Sequence, residues 1–142
     1  MKTVKHILRH KGNAVHAVSP ELSVFDALKI MMEKNISALL VIQDDVLKGI
    51  FTERDYARKV ILQGRSSKET RMGDIMTPNP YTITPGESVD NCMQTMTDRH
   101  FRHLPVVEGG KVVGIISIGD LVKHIIEMQK QTINELESYI NS

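Results

Sequence analysis

The sequence predicts an α/β protein of two similar β-α-β-β-α units, packed as one module and followed by a long C-terminal helix. Residues 49–55 (GIFTERD) return 65 positions later as residues 114–120 (GIISIGD), with the same order of elements around both copies. A repeat of this length is typical of duplicated structural units. Residues 121–140 contain no Gly or Pro, which predicts the long helix.

Composition limits the class of protein. The chain has 142 residues, 41% of them apolar and 25% charged, which suits one compact domain or two half-size units that share a core. A net charge of +1 gives no general attraction to nucleic acid or to an anionic membrane. The single cysteine, Cys92, excludes an intrachain disulfide. The N-terminus lacks an apolar signal segment, and the apolar runs are too short to span a bilayer, so we expect a cytoplasmic protein.

The first unit is predicted over residues 4–64 from its apolar periodicity. Apolar residues at positions 24, 27, 28 and 31 fall on one face of a helix, and Ser23 with Asp26 is placed to cap it. The predicted elements, in order, are a short helix within 1–12, an extended segment over 14–18, a helix from 24, a strand over 38–42, its hairpin partner over 47–52 and a helix over about 53–63.

The second unit is predicted over residues 72–128, after a polar linker at 65–71. It repeats the helix stripe, the strand at 103–107 and the returning strand at 112–117. A helical tail is predicted over 129–142. The apolar stripe of the last helix has two interpretations, packing on its own chain or on a partner subunit.

Each copy of the repeat ends a strand in a hydroxyl residue, Thr52 or Ser117, and places an Asp three residues later, Asp55 or Asp120. A strand-to-helix turn exposes free backbone N–H groups and positive helix-dipole potential, which suits a phosphate. A carboxylate accepts hydrogen bonds and suits the paired hydroxyls of a ribose. The repeat therefore suggests a nucleotide site used twice. The alternative is that the Asp residues are solvated carboxylates and the hydroxyls plain helix caps.

At these residues the chain resembles a tandem pair of CBS domains. The second unit carries the closer pattern, in residues 74–78 (DIMTP), 102–107 (RHLPVV) and 114–120. The first unit has no Met-Thr-Pro, and Leu40 stands where the second unit has Pro105. The resemblance implies a pseudo-symmetric, non-catalytic, stand-alone module. Its two clefts would bind adenosine-containing ligands such as AMP, ADP, ATP, S-adenosylmethionine or NAD, and the module would form a homodimer that regulates another protein.

The expected binding residues follow from the repeat and the resemblance. Asp55 and Asp120 would hold ribose, and Arg54 would meet a phosphate, whereas its counterpart is Gly119. His16 and Tyr81 occupy matching places, where a ring could stack on adenine or simply pack on the surface. The expected ligand-binding residues are Val15, His16, Ala38, Gly49, Ile50, Thr52, Arg54, Asp55, Pro80, Tyr81, Thr82, Arg102, His103, Gly114, Ile116, Ser117 and Asp120.

Two other classes of function are weaker alternatives. The basic residues between Lys2 and Lys11 could serve a nucleic-acid-binding module, but the near-neutral charge and few aromatic residues argue against it. A nucleotide-hydrolysing enzyme would need a base and nucleophile pair, which the sequence does not assemble. No P-loop and no dinucleotide-binding glycine motif is present, which argues against those two nucleotide-binding folds. No H-E-x-x-H pattern is present, so no metal site is expected.

Overall fold

A computed structural model of the chain describes residues 2–12 and 14–141. The first unit follows the predicted order of elements. These are α1 (Val4–Lys11), β1 (Ala17–Val18), α2 (Val24–Lys34), β2 (Ala38–Gln43), β3 (Val46–Thr52) and α3 (Glu53–Tyr56), which continues as a π-helix (Ala57–Ile61).

The second unit repeats this order and ends in the long helix. Its elements are α4 (Met72–Ile75), β4 (Thr77–Pro78), α5 (Val89–Arg99), β5 (His103–Glu108), β6 (Lys111–Ser117) and α6 (Ile118–Asn141). The predicted α/β fold with two repeated units and a long C-terminal helix is confirmed.

The two units form unequal sheets. The first sheet has the order β1-β2-β3-β4, in which β1 is parallel to β2 and the other pairs are antiparallel. The second sheet contains β5 and β6. In the second unit an isolated parallel bridge between Ile83 and Val106 matches the β1–β2 pairing. Because β4 lies at the start of unit 2 but pairs with β3 of unit 1, the chain crosses from one unit to the other beside the end of β3.

Each unit has its own apolar core, and a third cluster joins them. Phe51 is fully buried in the first core, and Ile116 is fully buried in the second. Between the units, Ala38 and Ile50 pack with Val112 and Ile115. Side chains on alternate positions of a strand point to opposite faces. One face of each hairpin therefore fills its own core, and the other face meets the neighbouring unit.

The helix predicted over residues 53–63 is regular only at its start. The amide of Leu62 donates to the carbonyl of Ala57 (3.0 Å) and that of Arg65 to Val60 (2.9 Å), which is the i→i+5 pattern of a π-helix. Val60 is fully buried in the first core. The predicted helix is present over residues 53–61, but apolar spacing over so short a segment does not indicate that its second half is a π-helix.

The last helix is continuous across residue 128, where the sequence suggested a boundary between unit and tail. Leu121 is fully buried against the second core, but most other apolar side chains of the helix are exposed. The exposed apolar residues whose side chains form the predicted stripe are Val122, Ile126, Ile133, Leu136 and Ile140. Within the described ranges no helix is long and apolar enough to cross a membrane.

Candidate functional site

A cleft of about 590 Å³ lies between the two units. We call it the first cleft. One wall is the end of β3 and the start of α3, and the other is the segment after β4 with the start of β5. Its lining residues are Ser37, Ile50, Thr52, Glu53, Arg54, Asp55, Arg58, Lys59, Thr77, Asn79, Pro80, Tyr81, His100, Phe101, Arg102 and His103. Both units therefore contribute to one site.

Asp55 lines the first cleft, and donors from several segments hold its carboxylate. The amide of Thr52 donates to its Oδ2 (2.9 Å), and the Asp55 amide is in turn capped by Thr52 Oγ1 (3.3 Å). On the other oxygen, Thr77 Oγ1 donates to Oδ1 (2.9 Å) and Lys59 Nζ lies 3.2 Å away. The capping box is local to the strand-to-helix turn, whereas Thr77 comes from unit 2.

The first cleft carries several cations and the aromatic rings of Tyr81 and Phe101. Arg54, Arg58 and Lys59 line the unit 1 wall, and Arg102 lines the opposite wall. Tyr81 is 40% exposed, and the Arg99 guanidinium lies over its ring at 4.8 Å. Guanidinium groups bind phosphates through charge-assisted hydrogen bonds. The arrangement places a carboxylate, aromatic faces and cationic groups around one cavity.

The equivalent turn in unit 2 is built around Asp120, and we call the place beside it, which corresponds to the first cleft by the 65-residue repeat, the second cleft. The amide of Ser117 donates to Asp120 Oδ2 (2.8 Å), and Ser117 Oγ accepts from the Asp120 amide (3.1 Å). Lys11, the last residue of α1, places Nζ 2.6 Å from the same Oδ2 and 2.6 Å from the carbonyl oxygen of Ile115. The carboxylate of the second cleft therefore forms an ion pair with the opposite end of the chain.

The charges beside the second cleft shift two pKa values. Burial acts to raise the pKa of Asp120, but the hydrogen bonds from Lys11 and Ser117 and the Lys11 charge outweigh it and lower the pKa below 3.8. The pKa of His103 is lowered from 6.5, first by burial and then by the Lys11 charge. His103 also lies 3.2 Å from Ser37 Oγ, at the first cleft. One imidazole thus lies between both clefts.

The structure brings together about half of the residues expected from the sequence. The first cleft is lined by Ile50, Thr52, Arg54, Asp55, Pro80, Tyr81, Arg102 and His103. Ser117 and Asp120 form the matching turn of the second cleft. Val15 packs in the cluster between the units, His16 is half-buried and Thr82 is exposed outside the first-cleft lining.

Four of the expected residues lie at strand positions where the chain itself fills the space around them. Ile116 has no exposed surface, because strand alternation turns it into the core and turns Ile115 towards the neighbouring unit. A Cβ on Gly49 would lie 2.5 Å from Met76 Sδ, and one on Gly114 would lie 2.7 Å from Leu8 Cδ2. The missing side chains of these glycines leave room for Met76, which follows α4, and for Leu8 of α1. Ala38 is buried in the cluster between the units.

Several residues of the sites were not expected from the sequence. Lys59 and Thr77 meet Asp55, and Lys11 meets Asp120. Only Lys59 had a local signal, because a residue four positions after Asp55 lies on the same helical face. Thr77 and Lys11 reach the carboxylates from other segments, and local spacing does not indicate such contacts.

Three histidines form a separate cluster where α1 meets α6. The rings of His6 and His10, four residues apart on α1, have centroids 4.8 Å apart, and the His6 and His124 centroids lie 5.3 Å apart. The pKa of His6 and that of His124 are lowered, first by burial and then by the Lys2 charge. In the described part of the chain, no group of three or more His, Cys, Asp or Glu is arranged to hold a metal ion.

Comparison with known proteins gives the family. The family model described as "CBS domain" matches twice, over residues 4–61 and 72–127. The chain belongs to the CBS domain family. It is a tandem CBS pair, and its two matched ranges are the units described above. The CBS domain-containing protein CBSX3 of Arabidopsis thaliana, a mitochondrial protein, is 39% identical over 97% of this chain and 71% of its own length.

Solved CBS structures share the fold closely. A protein with CBS domains from Burkholderia ambifaria MC40-6 superposes with a TM-score of 0.85 and is 51% identical, covering 89% of this chain and 95% of its own. CBSX2 in complex with AMP is 28% identical with a TM-score of 0.76 and covers 91% of this CBS pair and 99% of its own chain. The CBS pair of MJ0100, in complex with 5′-methylthioadenosine and S-adenosyl-L-methionine, is 28% identical with a TM-score of 0.80, covering 90% and 98%.

Proposed function

We propose that this CBS pair is a non-catalytic regulatory module that binds adenosine-containing ligands, AMP, ADP, ATP or NAD, in its two clefts. Binding between the units would favour one relative packing of the units over another, and a regulated protein would respond to that change. A ligand shifts such an equilibrium only by its difference in affinity for the two arrangements. CBSX2 with AMP and MJ0100 with two adenosine compounds support adenosine as the shared element.

The observation that carries the proposal is the composition of the first cleft. Asp55 offers a carboxylate, Tyr81 offers an aromatic face, and Arg54, Arg58 and Arg102 offer cations around one cavity of about 590 Å³. A cavity of this size is within the range of small-molecule sites. Ribose, adenine and phosphate each have a complementary group within it.

The contacts of Asp55 also support a binding role rather than a catalytic one. A general base needs a free lone pair within reach of the proton it removes. Four donor groups, from Thr52, Thr77 and Lys59, already surround the two Asp55 oxygens. Ribose hydroxyls would take the place of some of these donors at the Asp55 carboxylate oxygens. Neither alternative function, hydrolysis or nucleic-acid binding, gains a specific observation from the site.

We further propose a homodimer in the cytoplasm, with the exposed stripe of α6 as part of the contact between subunits. The five apolar side chains of this stripe are each at least 45% exposed, and a contiguous exposed apolar surface is typical of an interaction site. The single cysteine, Cys92, is buried, and burial raises the pKa of its thiol to about 11, so the thiol is unreactive. A chain with one cysteine and no intrachain disulfide is compatible with the reducing cytoplasm.

The ribose role of Asp55 is tested by calorimetry with AMP, ADP, ATP and NAD. Asp55→Ala should weaken binding at the first cleft roughly ten- to a hundredfold, because a hydrogen bond to a charged group contributes about 1.5–3 kcal/mol. Asp120→Ala should do the same at the second cleft. The matched control is Asp26→Ala. Asp26 also follows a capping serine by three residues, at the start of α2, but lies outside the first-cleft lining.

Asp55 is buried and belongs to a capping box, so Asp55→Ala should also cost about 1–2 kcal/mol of unfolding free energy. Binding of 2′-deoxy-AMP to the wild-type protein avoids that effect and should be weakened in the same way. If both aspartate variants bind all four ligands as tightly as the wild-type protein does, the ribose role and the proposed function are wrong.

A further inference from the structure

The contact between Lys11 and Asp120 bears on which cleft a ligand fills. The Lys11 ammonium lies 2.6 Å from the Asp120 carboxylate and 2.6 Å from the Ile115 carbonyl oxygen. Both acceptors belong to the end of β6 and the turn that follows it. If Asp120 is the ribose acceptor of the second cleft, a lysine from the same chain already occupies it.

The corresponding cation of the first cleft is attached differently. Lys59 lies four residues after Asp55 in the same helical segment, with Nζ at 3.2 Å from the carboxylate. Lys59 Nζ also donates to Thr77 Oγ1 (3.3 Å), so it can lose its contact with Asp55 and keep the one with Thr77 while it stays at the first cleft. Lys11 is 109 residues from Asp120, and its ammonium makes two short contacts there. A ligand can therefore rearrange Lys59 locally but must displace Lys11 altogether.

We propose that Lys11 is a specificity-determining residue of the second cleft: it occupies the ribose-binding carboxylate, so an adenosine ligand enters only by displacing it. This proposal rests on the proposed function, since it takes Asp120 as the ribose acceptor. The first cleft then fills at lower ligand concentration than the second. Lys11 is exposed and ends α1, so its side chain can leave the site without disturbing the core.

The test measures the second cleft alone. In an Asp55→Ala background, Lys11→Met should bind adenosine about three- to tenfold more tightly, because a partly exposed ion pair no longer competes for Asp120. Adenosine is the first probe because it carries no phosphate. With AMP the gain should be smaller, since Lys11→Met also removes a positive charge that attracts phosphate.

Two matched variants separate this effect from general charge changes. Lys5→Met removes an exposed charge from the same helix and should leave adenosine binding at the second cleft unchanged. Lys59→Met in an Asp120→Ala background removes the local pair of the first cleft. It should change adenosine binding by less than Lys11→Met does, because that pair lies within one helical segment.

A second readout needs no ligand and no change at Asp55. Lys11→Met in the otherwise wild-type protein should raise the pKa of Asp120, measured by carboxyl ¹³C NMR, because the two lowering contributions from Lys11 are lost. An unchanged Asp120 pKa would mean that the pair does not form in solution, which overturns the proposal.

The possible outcomes distinguish this proposal from the proposed function. Unchanged adenosine affinity in Lys11→Met, with binding still lost in Asp120→Ala, refutes the role of Lys11 and leaves the function standing. If neither the wild-type protein nor any of the variants binds adenosine ligands, the proposed function fails, and the Lys11 proposal fails with it. Tighter binding together with a raised Asp120 pKa supports both.

Discussion

The two clefts keep the same carboxylate turn but differ in the lysine that pairs with the carboxylate. Asp55 is paired by Lys59 within one helical segment, whereas Asp120 is paired by Lys11 from the other end of the chain. A local pair can rearrange without affecting other elements. A long-range pair ties the N-terminal helix to the state of the site. Duplication has thus kept the carboxylate turn and changed the segment that faces it.

The difference can be traced to the segments that approach each unit. The Val24 amide donates to the carbonyl of Thr70, and the Val89 amide donates to that of Lys2. The two amides are 65 residues apart, but the two carbonyls are 68 apart. The segment that leads to α2 of unit 1, from residue 2 to residue 24, is therefore three residues longer than the segment from residue 70 to residue 89 that leads to α5 of unit 2. With this extra length α1 stays helical to Lys11, whereas α4 ends at Ile75 and Thr77–Pro78 pairs with β3 as β4. At the first cleft the strand position Ile50 pairs with Thr77 of β4, whereas at the second the equivalent Ile115 accepts a hydrogen bond from the Lys11 side chain.

The largest expected effect tests how closely the segment before each unit packs on a strand. Residues 76–77 pack on β3 at Gly49, and Leu8 of α1 packs on β6 at Gly114. A Cβ at Gly49 would lie 2.7 Å from the backbone oxygen of Thr77, whereas the three atoms nearest to a Cβ at Gly114 all belong to the flexible side chain of Leu8. We therefore expect Gly49→Ala to lower the unfolding free energy by about 2 kcal/mol and Gly114→Ala by about 1 kcal/mol or less. Urea denaturation measures both values.

Gly86→Ala is the control for these substitutions, because a Cβ there would meet nothing within 4 Å. It should stay within about 0.5 kcal/mol of the wild-type value. A greater loss at Gly114 than at Gly49 would show that α1 packs more rigidly than the β4 segment, which is the reverse of the comparison above.

Local turn chemistry explains why the sequence predicted one part of the sites and missed another. Thr52 and Asp55 are three residues apart, so their capping contacts follow from the spacing alone. Thr77 and Lys11 reach their carboxylates across 22 and 109 residues, and only the packing of the units brings them there. The motif also does not state which strand face enters the core, so it did not indicate that the side chain of Ile116 lies there.

A smaller effect is expected in the response to phosphate number. The first cleft has Arg54, Arg58 and Arg102, whereas the equivalent positions in the other half are Gly119, Lys123 and Ser37. Asp120→Ala leaves only the first cleft for binding, and Asp55→Ala leaves only the second. The ratio of ATP affinity to AMP affinity should be about two- to fivefold higher in Asp120→Ala than in Asp55→Ala. The reason is the additional guanidinium contacts with phosphate. Calorimetry at low ionic strength measures the ratios.

Salt provides the control for this prediction. Raising the ionic strength should reduce the difference between the two clefts, because contacts with exposed charges are screened. Equal ratios of ATP to AMP affinity in the two variants at low salt would contradict the asymmetry of the cationic groups.

The smallest expected effect concerns pH and the cluster of His6, His10 and His124. The pKa of His6 and that of His124 are lowered from 6.5, first by burial and then by Lys2 and the neighbouring histidines, with Arg9 also acting on His6. The folded protein then binds fewer protons than the unfolded chain between 6.5 and the lowered pKa values. The stability these histidines contribute is therefore complete above 6.5 and is lost as the pH falls through that window. Asp120 stays ionised there, because its pKa lies below 3.8.

Acid should therefore loosen α1 more than α4, and hydrogen exchange at two matched amides can measure the difference. The Gly12 amide donates to the Leu8 carbonyl (2.8 Å) at the end of α1, and the Met76 amide donates to the Met72 carbonyl (2.9 Å) at the end of α4. Between pH 7.5 and 5.5, the protection factor of Gly12 should fall relative to that of Met76, because protonated His6 and His124 repel each other and Lys2. In His124→Gln the fall should be smaller, since α6 no longer presents a titrating group to α1. Equal falls at both amides, or no effect of His124→Gln, would mean that the histidines do not control how α1, and with it Lys11, is held against the second cleft.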